Sequence, residues 1–471
     1  MFLLPKLEVL QQTESVIRKF KGLNTHSVID EAELADCANI STGELPALTV
    51  CNPWETIRTV IPSVDFDYVT CGQLMLEINK GIPWQIIRHR LLPDGTESTD
   101  TIMLTLGSEV LGAAEFSDSM VLLIKKENQY FLEIYKNDST VAQNIELKDL
   151  FTNDSPSFGG ILTFGRRMLI LQNGEIHISY VADLTKWTEY LVNNQISPNA
   201  AQNISTKDGG DFVGAANFKN RPVLFKRDAM YELYNSYNPY DLSKVADVGC
   251  INPRSIAECG GVLYFLSEQG LMAYSSGMPK LVSRECPELA EAVVGSSACA
   301  DSRCYYIGNY FYDTVEGVWG KIRSGSGVDS KCYFNGCVYY LWESEEDGAA
   351  TKYVSRYDSR HFDSELEPAE WYFVTKLFHE DNPAQKQLSK LYIRVEPQQA
   401  ADIKVWISAD ESDWKQLYTG HLTESGKQKI LLRVPPCESC RFKISGKGKV
   451  TIPYIKRIYR IIPDGKVHPF Q

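Results

Sequence analysis

Long apolar runs and helical patterns are missing from this sequence. No run of about 18 apolar residues occurs, so we expect no membrane-spanning helix. The first residues, MFLLPKLEVLQQTE, have neither a basic start nor a long apolar core, which predicts no signal peptide. Asp30 to Cys37 is the only plausible helical stretch. These absences predict an all-β protein that is made in a cytoplasm.

Motifs for metal binding and catalysis are scarce as well. The 12 cysteines lack the spacing of a disulfide framework, so we expect them to be mostly reduced and buried. Cys437 and Cys440 form the only CxxC, and no second pair completes a zinc site. The seven histidines are dispersed, and neither a GxSxG elbow nor a GxxxxGK loop occurs. We therefore predict no metal, no cofactor and no catalytic residue.

The charge balance limits the partners. A net charge of −12 opposes tight binding of duplex DNA, because neutralised phosphates supply most of such affinity. An acidic surface still permits passing contact with DNA. The 25 tyrosines, 21 prolines and 32 glycines fit many short strands and turns better than helices.

Short apolar strands joined by tight turns recur along the chain. Val262 to Leu266 is apolar at every position, which predicts a strand buried on both faces, and Leu271 to Tyr274 gives its return strand. Similar hairpins are predicted in Asp118 to Tyr135, Gly165 to Ser179, Lys219 to Leu233, Asp301 to Asp313 and Asn335 to Asp358.

The spacing of these hairpins predicts the architecture. The turn residues Gly174, Asp228 and Gly270 are 54 and 42 residues apart (228 − 174 and 270 − 228). A loose all-strand period near 45 residues is typical of a β-propeller with four strands per blade. We predict a six- or seven-bladed propeller over residues 55–365, with residues 1–54 supplying a strand that closes the ring.

A second domain is predicted after the composition shifts at HFDSELEP, His361 to Pro368. Residues 366–471 are expected to form a jelly-roll-like β-sandwich, because about seven short strands are what this fold requires. The strands are predicted at Tyr372–Phe378, Leu388–Val395, Ile403–Ile407, Trp414–Tyr418, Gln428–Val434, Arg441–Ile444 and Ile452–Ile461.

Two stretches resemble a known family. NRPVLFKRDAMYELYN (220–235) and VADVGCINPRSIAECGGVLYFLSEQGLMAYSSGMPKLVS (245–283), together with FKGLN at 20–24, are similar to β-propeller proteins of bacteriophage virions. The relatives in this resemblance are the tail-hub and packaged-DNA-stabilising proteins of tailed phages. The resemblance covers residues 20–283, and beyond them it concerns only the architecture.

The resemblance implies a structural role without enzymatic activity. It implies a component of the virion tail or neck, which forms a homo-oligomeric ring and contacts other tail or neck proteins at the head–tail connection. Gly249, Gly260, Gly261 and Gly270 are expected to supply positive φ at blade corners. Pro253 is expected to fix the start of a strand, and Arg254 to bond to carbonyl groups between blades.

A propeller-type glycoside hydrolase or a carbohydrate-binding protein is the alternative. Such hydrolases use paired carboxylates, one as acid and one as base or nucleophile. The candidates are Asp65, Asp67, Asp118, Asp211, Asp313, Glu343, Glu345, Glu346 and Asp347. None lies in a motif that fixes its geometry, and the last four indicate a solvated hairpin tip.

Two further patterns bear on carbohydrate chemistry. Sialidase-type propellers repeat S-x-D-x-G-x-x-W turns, whereas Ser408, Asp410 and Trp414 match this pattern once and imperfectly. This mismatch counts against a sialidase. In the C-terminal domain, Trp371, Trp406 and Trp414 offer rings on which sugars stack, although aromatic residues at alternate strand positions more often belong to a core.

Overall fold

Antiparallel β-sheets carry nearly all regular structure in the computed structural model of this protein. The structure describes residues 12–42, 46–60, 66–71, 73–92, 94–136, 141–148, 150, 156–188, 191–192, 195–235, 240–322, 328–346, 349–379 and 384–462. Within these ranges the single helix is α1 (Leu289–Ala292). No helix in the described part of the chain has the length and apolar character needed to span a membrane.

Four short strands come first. They are β1 (Gln12–Ile17), β2 (Leu34–Ala38), β3 (Ile40–Ser41) and β4 (Leu48–Val50). The predicted helix at Asp30 to Cys37 is wrong, because a turn at residues 31–33 is followed by β2 in this stretch. Leu34 to Ala38 pairs with a C-terminal strand instead, with Ala38 opposite Tyr372. The hydrogen bonds of this pairing outweigh the weak helical pattern.

Thirty strands follow between Trp54 and Tyr357. They are β5 (Trp54–Val60), β6 (Phe66–Cys71), β7 (Leu74–Asn79), β8 (Gln85–Leu91), β9 (Glu97–Met103), β10 (Ser108–Phe116), β11 (Ser119–Lys126), β12 (Gln129–Tyr135), β13 (Val141–Glu146), β14 (Phe158–Phe164), β15 (Arg167–Gln172), β16 (Glu175–Ile178), β17 (Leu191–Val192), β18 (Gln195–Ile196), β19 (Gln202–Ser205), β20 (Phe212–Phe218), β21 (Arg221–Lys226), β22 (Met230–Tyr234), β23 (Asp241–Ala246), β24 (Asn252–Cys259), β25 (Val262–Ser267), β26 (Gly270–Tyr274), β27 (Lys280–Leu281), β28 (Ala298–Ala300), β29 (Cys304–Ile307), β30 (Tyr310–Asp313), β31 (Val318–Lys321), β32 (Val328–Phe334), β33 (Cys337–Glu346) and β34 (Ala349–Tyr357).

Seven four-stranded sheets form from these strands. Their orders are β6-β7-β8-β9, β10-β11-β12-β13, β14-β15-β16-β19, β20-β21-β22-β23, β24-β25-β26-β27, β28-β29-β30-β31 and β32-β33-β34-β5. The first strands of successive sheets lie side by side, and β32 of the last sheet lies beside β6 of the first. The sheets are therefore the blades of a closed seven-bladed β-propeller, which confirms the predicted fold class.

Ring closure uses a strand from before the first blade. β5 (Trp54–Val60) is the fourth strand of the seventh blade, next to β34. Closure of this kind removes a free sheet edge. The closing strand therefore begins at the end of the segment 1–54, whereas β1 to β4 pair elsewhere.

The middle strands of the blades are buried on both faces. Met168, Leu169, Ile170 and Leu171 of β15 are completely buried. Met168 and Ile170 pack toward the second blade, whereas Leu169 and Leu171 pack toward the fourth. Burial of each such side chain contributes about 1.5–3 kcal/mol to the stability of the folded state. The run of apolar residues without alternation thus reflects a sheet between two others.

Glycine satisfies two different needs at the blade corners. Gly260, Gly261 and Gly270 adopt φ values of 59°, 77° and 123°, so the predicted positive φ is confirmed for these three. For Gly249 the predicted positive φ is wrong, and space requires a glycine instead, because a Cβ at this position would lie 2.0 Å from the carbonyl oxygen of Lys226.

Seven strands follow the propeller. They are β35 (Glu370–Thr375), β36 (Lys386–Pro397), β37 (Ala401–Ala409), β38 (Lys415–Leu422), β39 (Gly426–Leu431), β40 (Cys440–Lys447) and β41 (Val450–Ile461). Each overlaps one of the seven predicted strands. They form two antiparallel sheets, of orders β3-β4-β41-β36-β39 and β2-β35-β40-β37-β38, and β1 also pairs with β41. The face-to-face packing of a β-sandwich stays a prediction.

The contacts divide the chain into two compact units. One comprises Met1–Glu55, Asn309–Ser324 and Asp358–Gln471, and the other comprises Thr56–Gly308 and Gly325–Tyr357. The N-terminal strands thus group with the C-terminal sheets. We call the first unit the C-terminal unit, after the larger part of its sequence.

Cysteines are mostly part of the core. Eleven cysteine side chains are described, and none of them forms a disulfide with another of the eleven. Nine are buried, and Cys304 and Cys337 are half-buried, as their apolar sequence neighbours predict. Burial raises the pKa of the Cys299 thiol to about 12, which makes it a poor nucleophile.

A buried lysine lies inside the seventh blade. The Lys331 ammonium nitrogen has no hydrogen-bond partner among the described residues, and it lies 6.0 Å from the ring centroids of both Tyr306 and Tyr340. Burial lowers the pKa of Lys331 from 10.5 to about 8, because the charged form is disfavoured away from water. The native state therefore bears an electrostatic cost at neutral pH.

We expect Lys331→Met to stabilise the protein at neutral pH by roughly 3 kcal/mol. Between pH 8 and 10.5 the unfolded chain binds more protons at this lysine than the native chain does, so wild-type stability gains from rising pH. The variant should lack that gain. Urea unfolding from pH 7 to 10.5 measures both effects, with Lys352→Met in the same blade as control. A variant no more stable than wild type at pH 7 would contradict this account.

Candidate ligand site at the mouth of the propeller

The first strand of each blade lies innermost in the ring, and we call these first strands the inner strands. Tight turns end the inner strands of several blades. The turns Ser117–Asp118, Lys219–Asn220, Gly260–Gly261 and Asn335–Gly336 have positive φ at both residues. Two such residues define a type I′ turn, whose twist matches that of the two flanking strands. The ends of neighbouring inner strands therefore meet around the central channel with their turn residues in fixed conformations.

Two adjoining cavities open where the inner strands end. One, of about 510 Å³, is lined by the ends of β6, β10, β14 and β20. The other, of about 830 Å³, is lined by residues of blades three to five. Thr163 and Asn217 line both cavities, so the two form one continuous depression. We call this depression the mouth.

Hydrogen bonds between blades hold the mouth in shape. The Thr163 hydroxyl donates to the carbonyl oxygen of Glu115 at 2.5 Å, and the Asn217 amide donates to the carbonyl oxygen of Thr163 at 2.6 Å. The backbone N–H of Gln73 donates to the Glu115 carboxylate at 3.3 Å. These bonds link the first four blades in sequence, which fixes the spacing of the side chains in the mouth.

Two cations on the fourth blade line the larger cavity. The Lys219 ammonium donates to the carbonyl oxygen of Ser275 at 2.9 Å. The Arg221 guanidinium lies 4.6 Å from the ring centroid of Tyr234 and 3.6 Å from the Glu232 carboxylate. Both side chains are exposed, and the contacts with Ser275, Tyr234 and Glu232 hold them in place.

The Glu232 carboxylate is itself held by two phenols. The hydroxyls of Tyr234 and Tyr274 donate to its two oxygens at 2.5 and 2.6 Å. The hydrogen bond to Glu232 raises the pKa of Tyr234, and burial together with that bond raises the pKa of Tyr274. The two phenols therefore remain protonated and keep donating to Glu232. The Glu232 carboxylate is thereby held in place beside the Arg221 guanidinium.

An ion pair crosses the channel near the starts of the inner strands. The Arg254 guanidinium of β24 contacts the Asp67 carboxylate of β6, although two blades separate these strands along the shorter side of the ring. Lys80 approaches the same carboxylate at 2.7 Å. Arg254 thus forms a charge pair across the channel, and its predicted bonds to carbonyl groups between blades stay a prediction.

The predicted carboxylates whose side chains the structure describes do not converge. Asp67 lies at the start of an inner strand, whereas Asp118 lines the mouth at the opposite end of the channel. Asp211 is exposed just before β20. Asp313 is buried and accepts the N–H groups of Val315 and Glu316, which is the role of a turn residue.

The acidic cluster lies where the sequence predicts it. Glu343, Glu345 and Glu346 end β33 at the tip of the β33–β34 hairpin. Asp65 and Asp347 fall outside the described residues. The imperfect sialidase-type match is a turn, in which Ser408 donates to the carbonyl oxygen of Ser412 at 2.7 Å.

The tryptophans of the C-terminal unit have three different environments. Trp371 is 2% exposed and donates to the carbonyl oxygen of Gly448, so it belongs to the core. Trp414 carries the Arg441 guanidinium 5.2 Å from its ring centroid. Trp406 is half-buried and lines a separate cavity of about 360 Å³ within the same unit.

Sequence analysis missed the side chains that line the mouth. Asn217, Asn220, Asn235 and Glu258 line the larger cavity. A detectable signal exists in the repeated turns FSDS, FGRR, FKNR, CGGV and FNGC, which begin at residues 116, 164, 218, 259 and 334. Aligning these turns places residues 115, 163, 217 and 258 at equivalent positions.

Comparisons with known proteins give architectural similarity alone. No protein-family model matches the chain, and no curated protein has significant similarity to it. A Trypanosoma rangeli sialidase is 11% identical over 98% of this chain and 97% of its own, with a TM-score of 0.32. The extracellular domain of a one-component system of B. thetaiotaomicron is 11% identical over 87% of this chain and 62% of its own, with a TM-score of 0.42. The propeller assignment follows from the strand order itself.

The expectation of a virion structural component is wrong. The similar structures are sialidases and a bacterial extracellular domain, and these are not phage proteins. The turn residues behind the resemblance serve blade corners, which unrelated propellers also need. The similar structures do not test the resemblance to phage proteins, the homo-oligomeric ring or the location in a virion, so these three stay predictions.

We expect the pair Asp67 and Arg254 to stabilise the fold only modestly. Both side chains are partly exposed, so a double-mutant cycle of Asp67→Asn and Arg254→Gln should give a coupling of about 0.5 kcal/mol. Urea unfolding of the four proteins at low and high salt measures it, and salt should reduce it. Additive effects at both salt concentrations would show that the pair contributes no coupling.

Proposed function

We propose that the protein is a non-enzymatic carbohydrate-binding protein whose ligand occupies the mouth of the propeller. The observation that carries the proposal is the set of polar side chains around the larger cavity. The larger cavity has a volume of about 830 Å³ and is lined by three asparagine amides together with Lys219, Arg221 and Glu258. Such a lining suits a ligand that is densely substituted with hydroxyl groups.

The chemistry of the lining matches that of a sugar. An asparagine amide both donates and accepts, a carboxylate accepts, and ammonium and guanidinium groups donate. A sugar hydroxyl needs both kinds of partner at once. Phe164 adds an aromatic ring to the same wall, which offers an apolar surface for the C–H face of a pyranose.

Rigidity of the mouth supports binding without large rearrangement. The bonds from Thr163 and Asn217 tie neighbouring blades, and the phenols of Tyr234 and Tyr274 fix Glu232 behind Arg221. A site that is already ordered loses little conformational freedom when the ligand binds. This favours a binding protein that recognises one saccharide shape.

Hydrolysis is the second candidate, and one observation favours it. Glu115 and Asp118 line the smaller cavity, and Glu258 lines the larger one. Glycoside hydrolases place two carboxylates on either side of the scissile bond. The Glu115 carboxylate, however, accepts the Gln73 N–H and so serves the packing of the first two blades.

We expect Asn220→Gly to weaken glycan binding about fivefold, since one hydrogen-bonding amide is lost. Asn220 has φ = 62°, which glycine adopts without strain, so the fold should be unaffected. Asn335→Gly is the matched control, because Asn335 occupies the equivalent turn of the seventh blade at φ = 47° and does not line either cavity. A glycan array followed by titration calorimetry measures the affinities.

The outcomes separate the two candidates. Binding that falls in Asn220→Gly and persists in Asn335→Gly supports the mouth as the site, and no glycan binding at all would overturn the proposal. Release of reducing ends from a bound glycan, lost in both Glu258→Gln and Glu115→Gln, would replace binding by hydrolysis.

A further inference from the structure

One exposed sheet face of the C-terminal unit combines aromatic rings with lysines. The strands β35, β40 and β37 are neighbours in the five-stranded sheet. Tyr372 lies opposite Ser445, and Trp406 lies opposite Lys443, so all four side chains point to the same face. They line the cavity of about 360 Å³. We call this surface the aromatic groove.

Lys443 occupies the centre of the aromatic groove. Its ammonium nitrogen lies 5.0 Å from the ring centroid of Tyr372 and 6.0 Å from that of Trp406. Its contacts are cation–π contacts, and the described residues supply no carboxylate partner for it. Lys404, which lies opposite Ser445 on the same face, is exposed and likewise has no such partner in the described chain.

Most acidic groups around the groove are already occupied. Asp36 accepts the hydroxyl of Tyr372 and the ammonium of Lys321, each at 2.8 Å. Asp402 lies 2.8 Å from the His421 ring nitrogen. Glu370 lines the groove as a further carboxylate. Neither Lys443 nor Lys404 forms an ion pair with these carboxylates among the described residues, so both ammonium groups remain available to a ligand.

We propose that the aromatic groove binds an anionic saccharide, independently of the mouth of the propeller. The rings of Tyr372 and Trp406 offer faces on which sugar rings pack, while Lys443 and Lys404 meet a carboxylate of the ligand. Strands lie about 4.8 Å apart, so the two rings stand roughly 10 Å apart across β40. The groove thus recognises an extended saccharide of more than one sugar unit.

Charge distinguishes this occupant from nucleic acid. Single-stranded nucleic acid also uses aromatic rings and basic side chains, but it depends on a positive surface along the strand. This protein has a net charge of −12, and only two lysines of the groove lack an acidic partner in the described chain. A short carboxylated saccharide fits two isolated charges better than a polyphosphate chain does.

The test uses the full-length protein with oligogalacturonate as probe and its methyl ester as the uncharged counterpart. We expect the acid to bind at least about tenfold more tightly than the ester, and less tightly in high salt. Lys443→Gln should lose about tenfold in affinity for the acid while leaving affinity for the ester almost unchanged. Titration calorimetry supplies the values.

A matched control exists on the other sheet of the same unit. Lys427 lies 4.1 Å from the ring centroid of Tyr392 but does not line the groove, so Lys427→Gln should bind the acid as wild type does. Asn220→Gly should also leave this binding unchanged, which separates it from the site proposed above. The exposed Lys404→Gln provides a second variant if Lys443→Gln fails to fold.

Several results would overturn the proposal. They are equal affinity for acid and ester, wild-type binding by both lysine variants, loss of binding in Lys427→Gln to the same extent, and absence of binding altogether. Tighter binding of a single-stranded oligonucleotide, abolished by Lys443→Gln, would assign the groove to nucleic acid instead.

Discussion

Burial of both faces of every blade is the constraint on which this structure depends. A four-stranded sheet with two apolar faces is insoluble alone, and the ring gives each sheet two neighbours. The completely buried run Met168–Leu171, whose alternate side chains pack toward opposite neighbouring blades, shows the arrangement most directly. Closure by β5 then removes the edge that an open row of blades would expose.

The polar side chains of the mouth lie at places that this constraint leaves open. Turn residues and the last exposed residues of the inner strands lie outside the apolar cores between blades, so they carry the asparagines and cations of the mouth. The Lys331 ammonium is buried and has no hydrogen-bond partner among the described residues. Its burial therefore destabilises the native state when the group is charged. The ion pair between Arg254 and Asp67 lies near the starts of the inner strands, away from the mouth at their ends.

The fold was predictable because its signal is local. An unbroken apolar strand, a tight turn and a return strand recur at Gly174, Asp228 and Gly270, and each of these residues lies in the turn between the second and third strands of a blade. The helix predicted at Asp30 to Cys37 failed because the second half of that stretch pairs with residues more than 330 positions away, such as Cys37 with Phe373. No local pattern encodes such a partner.

The mouth was less predictable than the fold, for a physical reason. Its residues come from five blades, and its polar residues are ordinary ones near a turn, so they become informative only when the blades are superimposed. The turns at Phe116, Phe164, Phe218 and Cys259 follow one another by 48, 54 and 41 residues (164 − 116, 218 − 164 and 259 − 218). The irregular steps hide the equivalence. The aromatic groove was partly visible through Trp406, but the position of Lys443 between two rings required the strand register.

The pairing of β4 with β41 has a consequence for the order in which the protein is made. Leu48 pairs with Ile452, which the ribosome adds 404 residues later (452 − 48). At about 5–20 residues per second, the N-terminal strands wait roughly 20–80 s for their partners. The blades are complete before that time, so we expect the propeller to fold first on the ribosome. During this interval the N-terminal strands lack their partner strands, and their unpaired edges are the kind of surface that chaperones protect.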